Sequence, residues 1–203
     1  MYGRSADWKS AIQQIGNLRY TPRMKQRTCE ICILAGGLSQ RMGRDKTRLR
    51  LGGRTMLGQI RAAGRATGLP VRVIRRDSVR RCGPLGGVCT ALQTTRAQAV
   101  LFLACDMPFV TAHLMQRLLD GGPGESGSFV RSKGLAGFPF LVPRAALPVV
   151  ALQIKKGRFS LQALAKALNA RLVRLPRSLS HQLRNLNILA EWRRAQRVWE
   201  GRS

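Results

Sequence analysis

Acid is scarce in this chain. Of 203 residues only 9 are Asp or Glu, against 36 Lys plus Arg, which leaves a formal charge of +27. Any carboxylate beside an apolar run is therefore conspicuous, and Asp77 and Asp106 both stand there. Aromatic residues make up 5% and are not interleaved with a basic helix, so no stacking platform for a nucleic-acid strand is visible. A field this positive attracts polyanions, but the basic residues are spread along the chain; nucleic acid is disfavoured as a partner without being ruled out by charge. No apolar run reaches the length that crosses a bilayer, so no membrane role is expected. A secretory leader pattern is missing too, and the five cysteines are an odd number, which points to a reducing compartment and the cytoplasm. Cys29 and Cys32 form a Cys-x-x-Cys, but at the entry to a strand and without a second pair at zinc spacing. They read as strand cysteines. Neither Gly-x-x-x-x-Gly-Lys-Ser/Thr nor Gly-x-Gly-x-x-Gly occurs, so the two common phosphate loops are excluded.

What is present centres on the run Ile31-Cys32-Ile33-Leu34-Ala35-Gly36-Gly37, which continues to Asp45-Lys46. It starts as an apolar run of strand length, breaks at two glycines and then turns polar and basic without a helix period. This is a strand emptying into an anion-binding loop. Gly36 and Gly37 let backbone N–H groups come close to a phosphate, while Arg41 and Lys46 add a planar fork and a compact ammonium. The combination suits a nucleoside triphosphate.

Residues 1–28 mix polar, basic and small residues without a sustained period, and are expected to form a loosely ordered basic extension, with Met24 as a second candidate start. Residues 29–203 form one domain. Within it, Thr55 is positioned to cap a helix reaching about residue 66, and Val71-Arg72-Val73-Ile74 is a strand delivering Asp77. Gly83-Pro84-Leu85-Gly86-Gly87 reads as a glycine turn before a helix from about 88 to 95. The almost wholly apolar 99–105 has the mark of a central strand buried on both faces, ending at Asp106-Met107-Pro108. Thr111 caps a further helix. Strands near 128–131 and 138–142, helices near 144–152 and 160–169, a strand at 171–175 and a helix at 188–198 complete the pattern. Alternating strands and helices predict a three-layer, mostly parallel α/β sheet with helices on both faces. Ligands of such sheets sit beyond the carboxyl ends of the strands, and Gly36, Asp77 and Asp106 each directly follow a strand. Three distant segments therefore converge on one crevice.

A carboxylate opposite a basic phosphate loop is well placed to hold Mg²⁺, which takes one or two carboxylates plus phosphate oxygens; that role falls to Asp106. His113 and His181 read as ordinary helix or loop residues.

Read together, Leu34-Ala35-Gly36-Gly37, Ser39, Arg41-Met42-Gly43 and Asp45-Lys46 resemble the signature of the MobA-like NTP transferases. Asp77, Gly83-Pro84-Leu85-Gly86-Gly87 and Cys105-Asp106-Met107-Pro108 are similar to that family's later motifs, in its order. Phe138-Pro139-Phe140, Gly157-Arg158 and Asn185-Leu186-Asn187 resemble its substrate-side segments more weakly. The resemblance implies a Rossmann-like fold of the nucleotide-diphospho-sugar transferase type and attack of a molybdopterin phosphate on the α-phosphorus of GTP, with loss of pyrophosphate. Arg41, Lys46 and Asp106 would be catalytic, Asp106 also holding Mg²⁺. Nucleotide would meet Leu34, Ala35, Gly36, Gly37 and Lys46 on one side. On the other it would meet Asp77, Gly83, Pro84, Leu85 and Asp106. Pro139, Arg158, Asn185 and Asn187 would face the acceptor. An aspartate accepts from guanine N1–H and N2–H₂ together, a donor pair cytosine lacks, which favours GTP over CTP. Molybdenum-insertion proteins or molybdoenzyme chaperones are implied as partners. The chain departs from the family at 57–71, where only the rest of one helix and a turn fit; the sheet should be one strand and one helix shorter than usual. Transfer to another phosphorylated acceptor, and a non-catalytic relative that binds nucleotide or a partner through its basic surface, stay open at this point.

Overall fold

The computed structural model describes residues 29–36, 50–51, 53–79, 81–122, 124–132, 134–186, 191–193 and 196. The extension at 1–28, Gly37 to Lys46 with Arg41 among them, Asn187 and most of the expected final helix lie outside the described residues.

β1 (Cys29–Leu34) shows why a continuous apolar run becomes a central strand. Its side chains alternate between two cores, with Ile31 and Ile33 on one face and Cys32 and Leu34 on the other. The strands β2 (Arg50–Leu51) and β3 (Arg54–Thr55) form a separate small hairpin. Helix α1 (Met56–Arg65) begins where Thr55 Oγ1 accepts the Gly58 N–H at 3.0 Å, and it buries Leu57 and Ile60 on one face of the sheet. β4 (Val71–Ile74) follows, then α2 (Pro84–Thr94) on the opposite face and β5 (Ala99–Ala104), which repeats the alternation of β1. Helix α3 (Ala112–Asp120) is capped by Thr111 and packs on the α1 side. β6 (Ser128–Ser132) and β7 (Leu135–Pro143) pair antiparallel; α4 (Leu147–Lys155), α5 (Leu161–Ala167) and β8 (Arg171–Val173) follow.

Among the described residues the main sheet has the order β4-β1-β5-β7-β6-β8, with only β7 running against the others. The three-layer architecture expected from the sequence is what forms, and α1 is the one described helix between the hairpin and β4, which is the sheet's edge. The pair register matters for function. Leu34 sits opposite both Ile74 and Ala104, so β1, β4 and β5 end level and the residues leaving them share one rim.

The glycine-rich 83–87 segment is a correction to the sequence reading. Helix α2 starts at Pro84 rather than near residue 88, so Gly86 and Gly87 are its first turn instead of a turn before it. The cysteines of β1 are structural: burial pushes both the Cys29 and the Cys32 thiol up to about 12. Among the described residues no cluster of three potential metal ligands forms, and no helix is long and apolar enough to cross a membrane.

Candidate functional site

The level strand ends open into a cleft of about 1290 Å³. Leu34 and Gly36 line it from β1, Asp77, Gly83 and Pro84 from the β4–α2 connection, and Ala104, Cys105 and Asp106 from the end of β5. The convergence of Gly36, Asp77 and Asp106 expected from the sequence is thus present. Hydrogen bonds fix the rim: the Ala35 N–H donates to the Ile74 carbonyl at 2.8 Å, and the Cys105 N–H to the Leu34 carbonyl at 3.2 Å.

Asp77 is seated against glycines. A Cβ built on Gly36 would stand 3.1 Å from Asp77 Oδ1, one on Gly87 3.2 Å from the same oxygen, and one on Gly86 3.0 Å from Asp77 Oδ2. This explains why glycine occupies the opening turn of a helix, where it is otherwise unfavourable: the carboxylate occupies the space that side chains would fill. Partial burial also pushes the Asp77 carboxyl above its ordinary value. The contact at Gly86 is the tightest, because its Cβ would lie 2.6 Å from the Val79 carbonyl oxygen. Gly86→Ala should therefore displace the 77–79 segment and destabilise the fold by about 1–3 kcal/mol, a fall in Tm of about 2–12 °C by thermal melt. An unchanged Tm would mean that this segment yields freely.

The other scarce acids serve elsewhere. Glu30 is bound by Arg72 at 2.6 Å, and that guanidinium also reaches Thr94 and the Ala91 carbonyl, tying β1 and β4 to α2. Asp120 accepts from Gln116 on its own helix. Asp77 and Asp106 are the described carboxylates that line the main cleft.

A second cleft of about 570 Å³ adjoins the first, and Phe138 lines both. Its wall includes Met107, Ser132, Arg184 and Asn185. A register shift in the β6–β7 pair, with Val130 opposite Gly137 while Phe129 faces Phe140, leaves Phe138 and Pro139 extra in β7. Phe138 comes to the junction of the clefts, while Pro139 is buried in the strand. Of the weaker substrate-side residues, Asn185 lines the second cleft, and Arg158 is exposed and lines neither. Leu85 packs its side chain wholly into the core.

Of the segment that closes this rim, sequence reasoning singled out Asn185-Leu186-Asn187 but not the contacts that hold it. Residues 177–186 and 191–193 lie against it: Gln182 Oε1 accepts from the Thr111 N–H and hydroxyl, and the Leu186 N–H donates to the Asp106 carbonyl at 2.8 Å. Trp192 Nε1 donates to the Arg50 carbonyl at 3.2 Å, and Trp192 packs with Met56, Phe109 and Leu186. These contacts tie the Asp106 turn and the hairpin that follows the glycine loop in the chain to residues 177–186 and 191–193.

Asp106 fits a magnesium site by its donor chemistry. It offers one half-buried carboxylate on the wall of an open, arginine-lined cleft, and Mg²⁺ needs little more from protein when a substrate brings phosphate oxygens.

Comparison with known proteins places this architecture. The family described as the MobA-like NTP transferase domain matches residues 31–172. The probable molybdenum cofactor guanylyltransferase of Opitutus terrae is 33% identical over 178 residues, which are 76% of this chain and 88% of that protein. Among solved structures, molybdopterin-guanine dinucleotide biosynthesis protein A from Archaeoglobus fulgidus superposes with a TM-score of 0.69 at 16% identity, over 85% of this chain and 99% of that one. The 2-C-methyl-D-erythritol 4-phosphate cytidylyltransferase of Thermus thermophilus gives 0.63 at 19% identity, over 85% and 99%. These two likenesses show the fold alone. The family match spans well over half of the sequence and contains every cleft residue named above from Leu34 to Phe138; the chain belongs to the MobA-like NTP transferase family.

Proposed function

We propose that this chain transfers GMP from GTP to the phosphate of molybdenum-molybdopterin, releasing pyrophosphate. The observation that carries this is the meeting of Gly36, Asp77 and Asp106 in one cleft beside a second, smaller one. The 33% identity to a protein named for guanylyl transfer to the molybdenum cofactor supports the choice of substrates.

GTP occupies the larger cleft. Its phosphates lie toward Gly36 and the loop that follows it, where Gly37 amides, Arg41 and Lys46 neutralise charge as it grows on the leaving pyrophosphate. Asp106 would hold Mg²⁺, which when bound would screen the phosphates and polarise the α-phosphorus. The acceptor lies in the smaller cleft, with Asn185, Arg184 and Ser132 offering donors to its polar groups. An acceptor phosphate oxygen forms the new bond to the α-phosphorus, and the bond to the β-phosphate bridging oxygen breaks. The protein has to align these atoms and exclude water, tasks suited to two joined clefts with Phe138 at their junction. The reaction is placed in the cytoplasm, in contact with proteins that insert molybdenum or receive the finished cofactor.

Fold alone does not choose the base, since a cytidylyltransferase shares it. Asp77 makes the choice, by accepting from guanine N1–H and N2–H₂ at the Gly83-Pro84 end of the cleft. Thermal shift and calorimetry with GTP and CTP test this. Wild type should prefer GTP, and Asp77→Asn should shrink the ratio by about tenfold, the worth of hydrogen bonds to a charged acceptor. The pH dependence has a definite sign. Because burial raises the Asp77 carboxyl, protonation removes its acceptor role at a higher pH than for a solvated aspartate, and the preference should fade as the solution is acidified through that point. Equal stabilisation by GTP and CTP at neutral pH would defeat the assignment.

A further inference from the structure

We infer that Arg81 is a second base-reading residue, taking the O6/N7 edge of guanine while Asp77 takes the opposite edge; this rests on the guanylyl reading above. The starting observation is backbone conformation. Arg81 has φ +61°, and the other described non-glycine residue with positive φ is an asparagine, Asn169. Asparagine visits the left-handed region readily, whereas an arginine does so against steric resistance that glycine would avoid. Where a bulky residue is kept in such a conformation, its side chain is the feature to explain.

That side chain lines the GTP cleft. Arg81 lines it together with Asp77, Gly83 and Pro84 of the β4–α2 connection, immediately before the turn that opens α2. It is exposed and makes no hydrogen bond or ion pair with any described residue, so among these residues no partner ties its guanidinium to the fold. Arg75 and Arg76 line the same cleft, but they simply follow β4 and have no unusual φ.

The chemistry of the two groups is complementary. Guanine presents donors on one edge, which suit a carboxylate, and the acceptors O6 and N7 on another, which suit the two parallel N–H groups of an arginine. Adenine puts an amino donor where guanine has O6, so an arginine there rejects it. Asp77 thus reads the donor pair that cytosine and adenine both lack, and Arg81 adds a second check on the acceptor edge, where adenine differs again. Arg75 and Arg76 supply charge without reading the base.

The test compares GTP with 7-deaza-GTP, which lacks the N7 acceptor, and with ATP, by calorimetry on the full chain. Wild type should bind GTP about tenfold more tightly than 7-deaza-GTP, and Arg81→Gly should bind the two alike and discriminate less against ATP, with Asp77 still opposing the adenine N1 edge. Glycine suits the left-handed backbone, so this variant keeps its fold, as its Tm will report. Arg76→Ala should weaken GTP and 7-deaza-GTP equally. An Arg81→Gly protein that still distinguishes them as wild type does would overturn the inference. So would a wild type that prefers GTP to CTP yet ignores N7, a result that leaves the guanylyl reading standing. Absence of any GTP binding by wild type would overturn both.

Discussion

Asp106→Asn should lower Mg²⁺-dependent transfer by about a thousandfold, on the order of 4 kcal/mol of transition-state stabilisation, while leaving the fold intact. Asparagine has the shape of aspartate but one strong anionic donor fewer, so a metal held mainly by this side chain is lost. The backbone carbonyl of position 106 accepts from the Leu186 N–H, and the substitution does not touch that bond. A near-isosteric change at this half-buried side chain should cost at most about 1 kcal/mol, a shift in Tm of no more than about 2–4 °C. Initial rates measured over a Mg²⁺ titration separate the outcomes. Transfer that persists with an unchanged Mg²⁺ dependence would show that the metal is held elsewhere.

The largest expected effect on stability belongs to Phe140→Ala. Phe140 is completely buried on β7, with its ring 4.6 Å from Phe129 at an interplanar angle of 3° and 5.0 Å from Phe102 at 23°. It also meets Phe138, at 5.1 Å. One substitution empties the centre of the core beneath α2 and α4, costing about 3–5 kcal/mol in transfer and cavity terms. For a domain of this size that is a fall in Tm of about 6–20 °C. Because Phe138 lines both clefts, GTP affinity should weaken along with stability. A Tm within about 2 °C of wild type would mean the core refills the space, contrary to close packing.

Much of this fold was legible because local signals and tertiary packing agree. β1 and β5 are apolar on both faces since both faces are covered, and Thr55, Thr111 and Ser160 accept the backbone N–H three residues on. The site was legible where strand ends carry unusual residues, because level registers turn sequence position into a shared rim. What escaped is tertiary in origin. Gly86 and Gly87 look like turn glycines, yet they stand in a helix, where Asp77, Val79 and Leu34 leave no room for a side chain. Phe138 looks like a core residue of a strand, and only the register shift brings it to the clefts. Residues 177–186 and 191–193 are held by isolated long-range hydrogen bonds, which leave no periodic trace. Arg81 was hidden among many arginines until its backbone angle set it apart.

The central claim is that this cleft moves a guanylyl group rather than only binding nucleotide. Incubating the protein with molybdopterin, GTP and Mg²⁺ and following dinucleotide and pyrophosphate together tests it most directly. The account predicts both products in equal amounts, with GTP and not with CTP, and neither when Mg²⁺ is withheld. GTP binding without either product, in a protein that is folded and supplied with acceptor, would contradict it.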